Sequence, residues 1–188
     1  MLSSKKIFKY INFALLLVVL LGNAPMALAA EANNSKELQV SGWIPYWTII
    51  AGAKDAENHL DTLNTVYPFG YSVKTDGTLS DLAKVSKNAT DKTAKTAWQN
   101  LFKLARKKDV DILPTVMWSS GADIERILSD KTLRKKHIKA IVAMVKKEKF
   151  DGVNIDYEGK MATTKDSFSL FLKELKKELG KSKILSCA

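Results

Sequence analysis

The stretch that decides the fold is Phe150-Asp151-Gly152-Val153-Asn154-Ile155-Asp156-Tyr157-Glu158, near the end of a chain of 188 residues. Its side chains alternate as in a β-strand, where successive residues point to opposite faces. One face carries apolar side chains: Val153, Ile155 and Tyr157. The other face carries glycine and polar side chains: Gly152, Asn154, Asp156 and Glu158. Polar groups about 6–7 Å apart along one face are costly to bury unless they bond to one another or bind something. The pattern therefore predicts a site for proton chemistry.

Strand and helix patterns alternate on the way to this stretch, which predicts βα units and a parallel sheet. Strands are predicted at residues 40–47, 63–71 and 111–118, and two more begin at Phe150 and Ile184. Helices are predicted at residues 54–60, 94–105, 138–145 and 168–179, from apolar positions that recur at helical spacing. Residues 74–78 contain Asp-Gly and predict a turn.

Residues 151–158 resemble the signature of glycoside hydrolase family 18, the chitinase-like family. The family pattern is Asp-Gly-x-Asp-x-Asp-x-Glu at the end of the fourth strand of a (β/α)8 barrel, and Asn154 stands where the family usually has Asp. This Asn variant is similar to the branch that includes spore-cortex and peptidoglycan-acting members. The family's second motif, Ser-x-Gly-Gly on the third strand, is only weakly echoed by Trp118-Ser119-Ser120-Gly121. The alternative is a solvated edge strand with surface acids, which the apolar face argues against.

The resemblance implies the α/β class and a (β/α)8 TIM barrel, with only the first four to five βα units present. A complete barrel takes about 250 residues. We therefore expect residues 39–188 to be the N-terminal part of a longer catalytic domain, poorly folded and inactive when isolated. The alternative is a natural half-barrel or a five-stranded open sheet, although unpaired apolar strand edges favour association.

The resemblance also implies catalytic roles for three polar side chains. In the substrate-assisted mechanism, the 2-acetamido oxygen of the sugar attacks the anomeric carbon and forms an oxazolinium ion. Asp156 would orient the acetamide N–H, Glu158 would protonate the leaving group and then activate water, and Asn154 would hydrogen-bond Asp156 from below. An Asp at position 154 could exchange a proton with Asp156, whereas an Asn cannot. Asp151 and Gly152 are expected to be structural members of the motif.

Aromatic side chains gather at the predicted strand ends: Tyr46, Trp47, Tyr71 and Trp118. Sugar rings present C–H faces that pack on aromatic rings, so these four residues are candidate substrate-binding walls. Core packing is an equal alternative for each of them. Trp43, Tyr67 and Phe69 are expected to lie in the core.

The N-terminus has the features of a secretory signal peptide, predicted over residues 1–30. Three lysines precede an apolar stretch, and Ala27-Leu28-Ala29 provides a cleavage site with small residues. An uncleaved membrane anchor is the alternative. Residues 31–38 form a predicted linker. We expect a protein that is secreted, extracellular or in the cell wall, with no stable membrane association after cleavage.

Charge and residue counts exclude some classes of site. The net charge is +10, and removal of residues 1–30, which hold three Lys and no acid, leaves +7. This charge attracts anionic polymers, although dispersed lysines favour simple solubility, and no nucleic-acid motif is present. Cys187 is the only cysteine, so no intrachain disulfide is expected, and we expect it to be buried. His137 is expected to be solvated. No His, Cys or carboxylate spacing is typical of a metal site, so no metal and no cofactor is predicted.

The sequence thus predicts a secreted glycosidase that hydrolyses β-1,4 bonds of N-acetylglucosamine-containing polymers by substrate-assisted retaining catalysis. Its partner would be a polysaccharide, chitin or peptidoglycan, and not a nucleic acid. A non-catalytic carbohydrate-binding protein of the same fold and an inactive truncated fragment are the alternatives.

Overall fold

A computed structural model describes residues 38–188 of the chain. The predicted signal peptide, and all but the last residue of the predicted linker, lie outside the described residues. Within residues 38–188, none of the helices has the length and apolar character needed to cross a membrane.

The centre of the molecule is a mostly parallel sheet. Five strands follow one another across it in the order of the sequence: β1 (Ser41–Pro45), β2 (Thr65–Val73), β5 (Thr115–Trp118), β6 (Gly152–Tyr157) and β7 (Ile184–Cys187). Two short strands also pair with β2, namely the antiparallel β3 (Leu79–Asp81) and the parallel β4 (Asp111–Ile112). The sequential parallel order is the one predicted for the first units of a (β/α)8 barrel.

Helices connect the strands and cover one side of the sheet. They are α1 (Ile49–His59), α2 (Lys92–Lys107), α3 (Gly121–Ser129), α4 (Lys131–Glu148) and α5 (Lys165–Leu179), with a 3-10 turn at Ala162–Thr164. The carboxylate of Asp91 accepts from the Ala94 amide, and Asp130 accepts from the amides of Thr132 and Leu133. Both are N-caps, which satisfy amides that the first helical turn leaves unpaired.

The core lies between the sheet and these helices. Val153, Ile155 and Tyr157 of β6 are buried on this side, as the alternation of the sequence predicts. The apolar stripe of α2 is also confirmed, because Trp98, Leu101 and Phe102 are buried with two alanines. Each fully buried Val, Ile or Phe side chain stabilises the fold by about 1.5–3 kcal/mol, so this side of the sheet holds the units together.

Several predicted boundaries were wrong. The third strand, expected over residues 111–118, is divided into β4 and β5 at Leu113-Pro114, where the proline has no N–H to donate. Helix α1 begins at Ile49 rather than at residue 54. Helix α3 and strand β3 were not predicted, since α3 has only nine residues and β3 only three.

Two single-residue expectations were also wrong. His137 is fully buried rather than solvated, because it lies on the sheet-facing side of α4 among aromatic rings. Cys187 is exposed rather than buried, although it lies in a strand as expected. In both cases the flanking residues misled the prediction: lysines surround His137, and apolar residues precede Cys187.

Candidate active site

The candidate site lies at the C-terminal edge of the sheet, on the face that the helices do not cover. Asp156 is the fifth of the six residues of β6, and Glu158 follows the strand directly. Met117 of β5 is the register partner of Asp156, and Ser72 of β2 is the partner of Met117. Side chains at paired positions of parallel strands share a face, so these three strands contribute to one surface.

Two cavities meet at the carboxylates. The smaller, of about 290 Å³, is lined by Ser72, Val73 and Met117 together with Asp156 and Glu158. The larger and more open one, of about 680 Å³, adds aromatic side chains on its other side, from Trp43, Trp47 and Phe69. Asp156, Glu158 and Phe69 line both cavities, so a long ligand could lie across the two carboxylates.

Burial and charge set the protonation of the site. Partial burial raises the pKa of Asp156, the nearby Glu158 raises it further, and Lys160 opposes both effects. The ammonium of Lys160 donates to the carbonyl oxygen of Tyr157 and lies 4.9 Å from the ring centroid of Phe168. Glu158 itself is exposed at the strand end. The pair therefore combines a carboxyl group that favours its proton with one that a ligand can reach directly.

Asn154 lies below Asp156 and is held by neighbouring strands. Its Nδ2 donates to Thr115 Oγ1 at 3.1 Å, and its Oδ1 accepts from Ser186 Oγ at 2.8 Å. Among residues 38–188 no hydrogen bond joins Asn154 to Asp156, which corrects the expectation that Asn154 supports Asp156 directly. The structure instead gives a neutral ladder of three polar side chains, Thr115, Asn154 and Ser186, across β5, β6 and β7.

The first two residues of the motif contact neighbouring strands. Asp151 Oδ2 accepts from the amide of Ile112 at 3.0 Å, and the Asp151 carbonyl accepts from the amide of Ile184 at 2.9 Å. Gly152 has no room for a side chain, because a Cβ there would lie 2.0 Å from the carbonyl oxygen of Ile184. These contacts join the start of β6 to β4 and β7, which is the structural role expected of Asp151 and Gly152.

The loop after β5 and the loop after β6 lie close together beside Glu158. A Cβ on Gly121, at the start of α3, would lie 2.2 Å from the carbonyl oxygen of Gly159. Gly159 itself has φ +66°, a left-handed conformation that glycine adopts readily. The chain can therefore turn sharply after Glu158, and the loop after β5 closes against it.

The four aromatic residues predicted to bind substrate divide into two groups. Trp47 is 65% exposed and lines the larger cavity, and half-buried Tyr46 packs edge-on against it, with ring centroids 4.9 Å apart. Tyr71 and Trp118 belong to the buried core on the helix side of the sheet. Trp118 packs there against Tyr157 with centroids 5.4 Å apart. Trp118 nevertheless lines the smaller cavity beside Asp156 and Glu158, so the alternative of core packing applies to Tyr71 alone of the four.

Sequence reasoning missed other residues that line or support the site. Trp43 was expected in the core but is 54% exposed and lines the larger cavity, as does half-buried Phe69. The parity of β1 could have revealed Trp43, because it shares the face of Trp47 two strand steps away. Ser72 and Thr115 gave no comparable signal. Gly70 lies where the register between β2 and β5 shifts. The weak match to the family's second motif, at residues 118–121, follows Thr115 in the sequence and does not include it.

Within residues 38–188, no group of three or more His, Cys, Asp or Glu side chains is placed to hold a metal ion.

Comparison with known proteins gives one family. The profile of Glycosyl hydrolases family 18 matches residues 42–188. A chitinase from Bacteroides thetaiotaomicron is 25% identical over 80% of this chain and 46% of its own, with a TM-score of 0.58. A class V chitinase from Pseudomonas fluorescens Pf-5 is 21% identical over 80% of this chain and 44% of its own, with a TM-score of 0.66.

A third solved structure is also similar to this chain. The spore cortex-lytic enzyme SleL of Bacillus cereus is 20% identical over 80% of this chain and 34% of its own, with a TM-score of 0.61. No curated protein matches the chain significantly. The chain thus spans less than half the length of these three structures.

Proposed function

The chain belongs to glycoside hydrolase family 18, and we propose that it is the part of a secreted glycosidase that carries the catalytic acid. The proposed substrate is a polymer with β-1,4-linked N-acetylglucosamine, either chitin or peptidoglycan. The observation that carries the proposal is the placement of Asp156 and Glu158 on one face of β6, at the meeting point of two cavities.

The proposed chemistry uses the substrate's own acetamide as nucleophile. Its carbonyl oxygen bonds to the anomeric carbon while the bond to the leaving-group oxygen breaks, and Glu158 gives its proton to that oxygen. Asp156 accepts the acetamide N–H and so aligns the attacking carbonyl. Water then opens the oxazolinium ion while Glu158 takes a proton from that water, which restores the enzyme. The anomeric carbon of the product keeps the configuration that it had in the substrate.

Burial and the nearby Glu158 act on the proton affinity of Asp156. Both raise its pKa, so Asp156 keeps its proton to a higher pH than an exposed carboxyl group before the substrate binds. Because the Thr115–Asn154–Ser186 ladder is neutral, it places no further charge below Asp156. Asn154 is therefore a neutral side chain, fixed by hydrogen bonds below Asp156, that has no proton to exchange with it.

The exposed aromatic rings support a polysaccharide ligand. Trp43, Trp47 and half-buried Phe69 form a cluster in which Phe69 lies 6.2 Å from Trp43 and 6.1 Å from Trp47 between centroids. Sugar C–H faces pack on such rings. We propose that the sugars on one side of the cleaved bond lie along this cluster. Export through the predicted signal peptide would bring the protein to such polymers outside the cell.

The experiment is hydrolysis by the natural full-length product, including any sequence that follows residue 188. N-acetylglucosamine oligomers and purified peptidoglycan are compared with an oligomer that has a free 2-amino group at the cleaved position. We expect the acetylated substrates to be cleaved, the free-amine substrate to resist, and a thiazoline analogue to inhibit. Equal cleavage of both oligomers would disprove the acetamide mechanism. Binding without any cleavage would favour a carbohydrate-binding protein instead.

A further inference from the structure

A buried histidine connects the two sides of the smaller cavity. His137 of α4 is fully buried, and Tyr157 of β6 is 1% exposed. The ring nitrogen Nε2 of His137 lies 2.5 Å from the hydroxyl of Tyr157, and Nδ1 lies 2.6 Å from the carbonyl oxygen of Gly77. Gly77 belongs to the turn between β2 and β3, whereas Tyr157 stands between Asp156 and Glu158.

The direction of both hydrogen bonds follows from the chemistry of the partners. A backbone carbonyl can only accept, so Nδ1 must carry the proton and donate to Gly77. In a neutral ring Nε2 then has a lone pair, and the Tyr157 hydroxyl donates to it. Burial lowers the pKa of His137 to about 4, which keeps the ring neutral. With a neutral ring, this is the one arrangement in which both His137 nitrogens, the Gly77 carbonyl and the Tyr157 hydroxyl all have hydrogen-bond partners.

Aromatic rings fix the imidazole from the sides. Phe171 stacks on it with centroids 5.6 Å apart, and Trp118 lies at 5.5 Å. Tyr157 in turn packs against Trp118 and Phe171. The ring of His137 therefore has little freedom to rotate, and its two hydrogen bonds hold their partners at a set separation.

The turn that His137 holds is attached to the site. Residues 72 and 73 of β2 precede the turn and line the smaller cavity opposite Asp156 and Glu158. The turn is also held by α3 and α4, because Arg126 donates to the Thr75 carbonyl and Lys136 donates to Asp76. Both contacts are exposed, and the Lys136–Asp76 ion pair contributes little in such surroundings. His137 makes a buried contact with both sides.

We propose that His137 is a positioning residue, which sets the separation between the Ser72–Val73 side of the cavity and the strand end that carries Asp156 and Glu158. The proposal rests on the proposed function for its kinetic consequence, but its structural content does not. A merely structural histidine would contribute to stability without affecting the geometry on both sides at once.

The first test is the tautomer, read by nitrogen and carbon NMR of the histidine rings in the natural protein. The His137 signal is identified by its loss in His137→Gln. We expect His137 as the neutral Nδ1–H form. An Nε2–H form or a titrating ring at position 137 would overturn the proposal without any substrate.

The second test follows the connection through the protein. Tyr157→Phe removes one hydroxyl and keeps the ring. We expect it to shift the backbone amide signals of Gly77 and Ser72 as well as that of Glu158, whereas the matched control His59→Gln should shift none of these. Unchanged signals for Gly77 and Ser72 in Tyr157→Phe would show that the two sides are independent, and would contradict the proposal.

The third test is kinetic and uses rescue. His137→Phe should lower kcat by about 10- to 100-fold in the folded fraction, the scale expected when reacting groups are displaced by about 1 Å. His137→Gln can donate to Gly77 and accept from Tyr157, so it should recover most of that loss. Equal kcat for the wild type and folded His137→Phe would refute the positioning role. If the wild type cleaves no N-acetylglucosamine polymer, the proposed function fails, and the two NMR tests still decide the proposal.

Discussion

The two faces of β6 lie in opposite surroundings although they belong to the same six residues. On the helix side, Val153, Ile155 and Tyr157 are at most 1% exposed, and Tyr157 packs against His137. On the other side, Asn154 is buried in a polar ladder, and Asp156 and Glu158 open onto the cavities. Stability is therefore concentrated on one face and chemistry on the other, and substitutions should separate the two.

The largest expected effect is on the open face. Glu158→Gln should lower the turnover of N-acetylglucosamine oligomers by about 10²–10⁴-fold, the usual contribution of general acid–base catalysis. Oligosaccharide affinity and the melting temperature should change little, because Glu158 is exposed. Steady-state kinetics and calorimetry measure these quantities, with the exposed Glu178→Gln of α5 as the matched control. Near-normal turnover would remove Glu158 from the mechanism.

On the buried face, Ile155→Ala should act on stability instead. Ile155 is fully buried between two polar neighbours of the other face. Loss of such a side chain leaves a cavity and costs about 2–5 kcal/mol. Denaturant unfolding should show this loss, while turnover per folded molecule stays within a small factor of the wild type. A large fall in turnover without a stability change would break the separation of the two faces.

The polar ladder tests whether the open face also contributes to stability. Thr115→Val removes the acceptor of Asn154 Nδ2 and leaves a buried amide unsatisfied, which should cost about 1–3 kcal/mol. Ser186→Ala should cost less, because Ser186 is only partly buried whereas Thr115 is fully buried. Denaturant unfolding of both variants checks this order. The reverse order would mean that Asn154 relies on β7 rather than β5.

The smallest expected effect is a gain. Because the pKa of folded Asp156 is raised, ionisation is less favourable in the folded than in the unfolded chain. Stability from this group is fully present below its unfolded value, 3.8, and is lost as pH rises through the folded value. Asp156→Asn should therefore raise the melting temperature relative to the wild type more at pH 7 than at pH 3, while it impairs turnover. Melting curves at both pH values test the sign; a relative gain confined to pH 3 would contradict it.

Much of the fold could be predicted because its signals are local. The order of parallel strands, the alternation of β6 and the apolar stripe of α2 all follow from spacing within one element. The α/β class and the family were predicted from the same signals and the motif. The break at Leu113-Pro114 also has a local signal, since proline has no N–H to donate, but the prediction extended one strand across it.

The parts of the site that come from other strands were harder to predict. Thr115 and Ser186 acquire their roles only through register with Asn154, and register between distant strands is not encoded at one position. His137 was misjudged because its neighbours in sequence are lysines, whereas its neighbours in space are aromatic. Trp43 was misjudged for the opposite reason, since a tryptophan in a strand usually lies in the core.

The sequential order of the main strands also has a consequence for how the protein is made. Among the described strands of the main path, each strand after β1 pairs with the one synthesised before it. Contacts between nearby segments of a chain form faster than those between remote ones, and chains fold from the N-terminus during synthesis. The surface of β5 can therefore exist before β6 leaves the ribosome. In that order, Asp156 and Glu158 join the sheet after β1 and β2, when β5 is already paired with β2.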